Sequence, residues 1–286
     1  VTLVDGFFHR MFQSHSLFLN GVQCEGSCYT GLLNNLNVYT SMKSSDLNSK
    51  GLNMMYKSLQ TTIPNAMGVA NFANNNSNEA WIQESTRHGI HMMGPLNFDV
   101  SGSNSYLLDN VSINIRLELA KPSVVLLTDD DEEYIYIVDS CKLWCEKVVP
   151  YPNALVALNK ALTTNNDFIE YMFVRPIVKT VMFPAGQNSI SIDSPFNGVV
   201  PHKLVMFLVD QEADNGAYER NPNYFHHNAI TDVIVDVNGN CISNIKSSIP
   251  NECARAYHRT LTALGARNSS HLITRQNFAA GRTIFV

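Results

Sequence analysis

Between Val111 and Leu119 the chain alternates without a break. Val111, Ile113, Ile115, Leu117 and Leu119 are apolar, and Ser112, Asn114, Arg116 and Glu118 between them are polar. Side chains on a strand point to opposite faces in turn, so a period of two buries one face and wets the other. A helix would scatter these apolar residues around its circumference. The architecture that takes such a strand is an antiparallel sheet with one solvated side.

The neighbouring segments extend the β reading. Pro122 ends the run, and Ser123-Val124-Val125-Leu126-Leu127 reads as the next strand. Asp129 to Glu133 is an acidic loop before Tyr134-Ile135-Tyr136-Ile137-Val138, the signature of a hairpin. After a turn at Pro152, Asn153 is expected to cap a short helix striped by Leu155, Leu158 and Leu162.

A second β series starts near Arg175. Ile177 to Phe183 is one run, closed by Pro184-Ala185-Gly186, and Ser189 to Asp193 alternates again. Leu204 to Val209 is apolar throughout, as a strand covered on both faces would be. Val233, Val235 and Val237 alternate with Asp232, Ile234 and Asp236 before Asn238-Gly239, a type I′ hairpin turn. A last helix is expected from Ala254 to Leu264, striped by Ala254, Tyr257, Leu261 and Leu264 and stopped by Gly265.

Strands, helix, strands, helix, strand is not a βαβ rhythm, which argues against Rossmann and TIM architectures. The pattern predicts an all-β chain with a few short helices, arranged as two successive β-sandwiches. A boundary near residue 172 gives a first domain, 1–172, that includes the linking helix, and a second, 173–286. Val1 is not an initiator Met, and Gly281 to Val286 opens an apolar strand. The gene product is therefore expected to continue in both directions, leaving the second sandwich incomplete.

Composition narrows the function. Hydrophobic residues make up 45%, enough for a real core. Charged residues are 16%, against roughly 25% in an average soluble domain. Such a surface suits a protein packed against neighbours. With a net charge of −5 and no block of Lys and Arg, a nucleic-acid groove is not favoured. No apolar run reaches the roughly 18 residues of a membrane span, and no signal peptide is visible.

Little in the chain points to catalysis. The phosphate, dinucleotide, zinc-protease and nucleophile-elbow motifs are absent. No Cys-His or Ser-His pair is close in sequence, which lowers the case for an enzyme. Cys24/Cys28 and Cys141/Cys145 form C-x-x-x-C pairs, while Cys241 and Cys253 stand apart. On a strand, residues four apart lie roughly 13 Å from each other, too far to share zinc. The expected role is that of reduced, small hydrophobes, which suits assembly in the cytosol or nucleus.

His88 and His91 would face opposite ways on a strand, and of the adjacent His226 and His227 only one could point inward. Asp129 to Glu133 lacks the Gly and distal Glu of an EF-hand and reads as a solvated hairpin tip. Asn71 to Asn78 reads as an exposed loop, and the sequons at Asn75, Asn110 and Asn268 are assigned no role. No catalytic residue, metal ligand or cofactor is expected.

A longer pattern runs from Arg175 to His227. It comprises Val-Lys-Thr-Val-Met-Phe-Pro-Ala-Gly (178–186), Ser-Pro-Phe-Asn-Gly-Val-Val-Pro (194–201), Leu-Val-Asp (208–210), Asn215-Gly216 and Asn-Pro-Asn-Tyr-Phe-His-His (221–227). Phe8 to Phe12, Ser16 to Gly21, Tyr29, Leu32-Leu33, Tyr136 to Asp139, Arg275 to Phe278 and Gly281 to Phe285 continue it in order. Together these resemble the capsid proteins of Polinton (Maverick) elements, adintoviruses and related double-stranded DNA viruses.

The resemblance implies a double jelly roll and homotrimers that form pseudo-hexagonal capsomers of an icosahedral shell. It implies copies of itself and neighbouring capsid proteins as partners, and a place in the virion. By resemblance Val178 to Pro184 opens the second jelly roll, and its closing strands lie beyond Val286. The Cys-rich start and the Asn-rich loop depart from the pattern.

The physics of the motif stands beside the resemblance. Pro184 and Gly186 suit a tight turn between strands, and Phe196 is expected to anchor a loop. Gly198 and Pro201 shape the approach to the strand at Leu204. Asn215-Gly216 and Asn221-Pro222 place turns on both sides of a long loop.

Two other functions fit a β-sandwich. A lectin-like module would bind carbohydrate through exposed aromatics, with calcium at Asp129 to Glu133. A cupin-type metal enzyme would need His88, His91 and His202 to converge in one barrel.

Overall fold

The computed structural model describes residues 1–56, 89–102, 105–109, 111–128, 132–164, 170–246, 253–266 and 271–286. Its regular structure consists of antiparallel sheets and a few short helices.

The alternating run becomes a strand in a three-stranded sheet. We number the strands β1 (Thr2–Leu3), β2 (Phe12–Leu19), β3 (Val22–Ser27), β4 (Ile113–Leu119), β5 (Leu126–Leu127), β6 (Asp232–Val237) and β7 (Asn240–Lys246). The sheet order is β3-β2-β4, all antiparallel. Ile115 and Leu117 of β4 are half-buried, while Asn114, Arg116 and Glu118 face water. Asn20 and Gly21, with φ of 50° and 80°, join β2 to β3. Two successive positive φ values make the type I′ turn whose twist matches a hairpin.

The β6–β7 hairpin repeats this chemistry. Asn238 and Gly239 have φ of 51° and 78°, as their sequence predicts. Val233, Val235 and Val237 turn their half-buried sides inward.

The α-helices are α1 (Phe7–Arg10), α2 (Thr30–Ser41), α3 (Pro122–Val125), α4 (Pro152–Thr164), α5 (Gln211–Asn215), α6 (Ala254–Ala263) and α7 (Arg275–Ala280). Helix α4 starts at Pro152 itself, and Leu155, Leu158 and Leu162 are its half-buried stripe. Helix α6 stops before Gly265 at φ 70°, as expected, but its buried residues are Ala256 and Thr260, and Ala254 is exposed.

Several expected strands do not form. Ser123 to Leu127 is mostly the turn α3, because Pro122 at its first position fixes φ for a helix. Only Leu126 and Leu127 pair, with β1. Tyr134 to Val138, Ile177 to Phe183 and Ser189 to Asp193 have no ladder. Their apolar, β-branched and aromatic residues fit strands, but no strand ladder forms there among the described residues. Leu204 to Val209 is half-buried and holds one bridge, Met206 to Phe285, closed by two 2.9 Å backbone hydrogen bonds.

Two apolar clusters hold the described residues. One lies under α1, with Leu3, Phe7, Met11, Phe12, Val125 and Leu126. The larger draws on both sides of residue 172, with Tyr39 and Tyr56 from the first part and Phe225, Phe278, Ile284 and Phe285 from the second. Each aromatic buried this way contributes on the order of 1.5–3 kcal/mol. No helix among the described residues is long and apolar enough to cross a membrane.

Candidate functional site

The turn motif divides into an exposed half and a buried half. Gly186 (φ 86°) closes the expected turn, with Gln187 N donating to Pro184 O. Phe196 is half-buried in a second turn, where Gly198 has φ 83°, and Pro201 is exposed. Asn215 ends α5, and Gly216 (φ 93°) follows as its cap. A Cβ on Gly216 would stand 2.6 Å from Ser123 Oγ, so α5 and α3 meet here. Asn221 and Pro222 are buried, and Asn221 Oδ1 accepts from Asn223 N at 2.9 Å.

That turn delivers Asn223 into a buried polar knot. Its Nδ2 donates to Asp5 O at 2.6 Å, and its Oδ1 accepts from Asn35 Nδ2 at 3.1 Å. Asp5 Oδ2 accepts from Tyr39 OH at 2.6 Å and from Arg282 NH2 at 3.1 Å. The Arg282 guanidinium lies 4.8 Å over the Tyr39 ring. Tyr56 OH donates to Asn35 Oδ1 at 2.5 Å and stands 3.1 Å from His9 Nδ1. His9 Nε2 lies 2.9 Å from Pro95 O.

Burial sets the protonation here. It pushes the Tyr39 and Tyr56 hydroxyls far up, so both remain donors. It pulls His9 down, favouring the neutral ring, and Nε2–H donates to Pro95 O. Burial also works against the Arg282 charge, but Tyr39 and Asp5 outweigh it and its pKa rises. Burial lowers Arg10, with Asp214 opposing. Arg282 NH1 and Arg10 Nε are buried without a hydrogen-bond partner. Asp5, Asn35, Tyr39, Tyr56 and Asn223 partner one another across distant parts of the chain, so the knot joins chain segments.

A second constellation has the residue types of a nucleophile, a base and an acid. His15 Nδ1 is 2.7 Å from Thr30 Oγ1, and His15 Nε2 is 2.7 Å from Glu25 Oε1. Thr30 opens α2, His15 lies on β2 and Glu25 on β3, all buried. Thr30 Oγ1 is also 3.2 Å from Ser27 O, so the hydroxyl is held within the turn that starts α2 and not presented to a substrate. Glu25 Oε2 accepts from Asp99 N at 2.8 Å, and the Asp99 side chain meets Arg175 Nε at 3.4 Å.

Sequence reasoning missed this set, although Asn20-Gly21 offered a signal. A type I′ turn there pairs Leu19 with Val22 and Phe18 with Gln23, and a bulge then shifts the register so that Leu17 meets Glu25, with His15 and Leu17 on one buried face.

The other candidates that lie among the described residues do not converge. His88 and Asp129 to Asp131 lie outside the described residues, as do Asn71 to Asn78 and the three sequon asparagines. His202 is exposed, and no group of three metal donors forms among the described residues. His226 and His227 stack at 4.5 Å, and their Nδ1 atoms accept from Asn228 N and Ala229 N. All six cysteines are free, with Cys253 alone fully buried. Glu132, Glu133, Glu212, Tyr218, Glu219 and Arg220 line a groove of about 330 Å³. Arg220 occupies its charge there, pairing with Asp210 at 3.5 Å and Glu212 at 3.2 Å.

No family model, curated protein or solved structure matches the chain.

Proposed function

We propose that this chain is a structural subunit of a double-stranded DNA virus capsid, a double jelly roll that trimerises into pseudo-hexagonal capsomers. On this reading residues 1–172 and 173–286 belong to the two jelly rolls. Its work is geometric, its partners are its own copies and neighbouring capsid proteins, and its place is the virion, reached after assembly in the host nucleus or cytoplasm. The ordered pattern from Phe8 to Phe285 that resembles Polinton-type capsid proteins supports it.

The structural observation that carries the reading is the apolar surface of two long stretches, 132–151 and 170–200. Ile135, Trp144, Val149, Tyr151, Met172 and Val174 are all more than three-quarters exposed. Large apolar surface left in water marks a face that another protein covers. A chain with 16% charged residues has few groups to keep such a face soluble alone. Stable contacts between copies would bury more than about 1,000 Å² each.

Electron microscopy with mass determination on the full-length protein tests this. Trimers about 70–80 Å across, a size set by sheet spacing and strand length, or shells built from them, are expected. A stable monomer that never assembles overturns it.

A further inference from the structure

The stretch from Met172 to Phe183 has no regular secondary structure, and most of its side chains are exposed. Three polar contacts tie it to β3, to the turn at Asp99 and to the start of α2. Arg175 NH2 donates to Cys24 O on β3 at 2.8 Å, and Arg175 Nε meets Asp99 Oδ2 at 3.4 Å. Tyr29 OH lies 3.0 Å from Thr180 Oγ1. Of these only the Asp99 contact carries opposite charges. The Asp99 side chain is 9% exposed and that of Arg175 56%, so one end of the pair is anchored and the other reaches in from solvent.

Asp99 stands beside a second carboxylate, because its own N–H donates to Glu25 Oε2 at 2.8 Å. Glu25 is held in turn by His15 at 2.7 Å. We propose that residues 172–183 form a strap, latched to the β3 edge through Arg175 and released when Asp99 takes up a proton.

The sign follows from linkage. Among the described residues, three charged or titratable groups act on Asp99: Glu25 from β3, Arg175 from the strap and His15 from β2. Burial and then Glu25 raise its pKa, whereas Arg175 and His15 lower it. Arg175 exerts its effect only while the strap is docked. Loss of the Arg175 charge raises the proton affinity of Asp99, and by reciprocity protonation of Asp99 weakens its contact with Arg175. Protonation also removes the Asp99–Glu25 repulsion, so the site beneath is relieved while the strap is lost. Arg175 gives up little on leaving, since an exposed guanidinium is well solvated.

The test uses the full chain with Cys24, Cys28, Cys141, Cys145 and Cys241 replaced by serine, and buried Cys253 kept. Nitroxide labels at N37C and K179C report the distance from α2 to the strap by dipolar electron paramagnetic resonance. The expected result is a narrow distribution at about pH 7.5 and a broad, longer one at about pH 4.5, near the carboxylate range. Asp99→Asn and Arg175→Gln should be broad at both pH values. Glu25→Gln should move the transition to lower pH, because the like-charged neighbour is gone. Arg175 lies on the exposed strap, so its variant keeps the core intact, which far-UV circular dichroism checks. A distribution identical at both pH values overturns the proposal, as does an Arg175→Gln chain that still opens with acid as the parent does.

Discussion

Arg282 NH2 donates to Asp5 Oδ2 at 3.1 Å across 277 residues of chain, and both side chains are buried. The contact joins the turn after β1 to the last described segment. Tyr39 OH also donates to the carboxylate, and Asn223 fixes the Asp5 backbone. Removing one member of a buried pair leaves the other charged and unpaired, at a cost of about 3–5 kcal/mol. Arg282→Met and Asp5→Asn should each lower unfolding stability by roughly that much in urea titrations. Combining either with Tyr39→Phe should give less than the sum, because the groups share one network. Full additivity would show that they are independent.

Gly281 permits that contact. Its φ is 146°, and a Cβ there would sit 1.8 Å from the Tyr224 ring. Gly186 has a positive φ of 86° but open space around it. Gly186→Ala should therefore cost only backbone strain, about 1 kcal/mol, whereas Gly281→Ala must also displace a buried ring and should cost at least 1–3 kcal/mol more. Thermal unfolding of the two variants checks the order.

The hairpin of β6 and β7 was legible because everything that makes it is local: a period of two, then Asn-Gly. The same local chemistry at Asn20-Gly21 builds the β2–β3 hairpin. Strand β4 was legible from its alternation alone. Ile177 to Phe183 is an apolar, β-branched run, yet a strand also needs a partner backbone, and no pattern within seven residues says where one comes from. The knot was illegible for a related reason. Asp5 and Arg282 share no period or spacing, and only the tertiary path through Asn221-Pro222-Asn223 brings them together. Helix α2 was missed because Thr30, Asn34 and Asn35 face inward with Leu32 and Val38, which blurs its apolar stripe.

Glu25 gives the fold an acid-sensitive component. Burial pushes its carboxyl up, but the His15 hydrogen bond, the Asp99 N–H and the His15 charge together hold it below the ordinary carboxylate value. A depressed folded pKa contributes stability that is present above the unfolded value of about 4.3 and is lost as pH falls through the folded one. Urea unfolding of the parent at a series of pH values should show this loss on the acid side. Glu25→Gln should be less stable at neutral pH and flatter in acid. An equal slope in both chains would place the acid sensitivity elsewhere.

Met172 and Val174 separate folding from assembly. Both lie outside the two apolar clusters and are more than four-fifths exposed. Substitution of an exposed side chain that packs against nothing usually changes stability by no more than about 0.5 kcal/mol. Met172→Glu and Val174→Glu should therefore leave the unfolding curve of the subunit unchanged. In a capsid subunit the same substitutions put charge into a face that neighbours must cover, where an unpaired buried charge costs several kcal/mol. Sedimentation of the double variant should show unassembled subunits under conditions where the parent forms trimers or shells. If the variant assembles as the parent does, this stretch is not an interface, and the exposed Trp144, Val149 and Tyr151 become the surface to alter next.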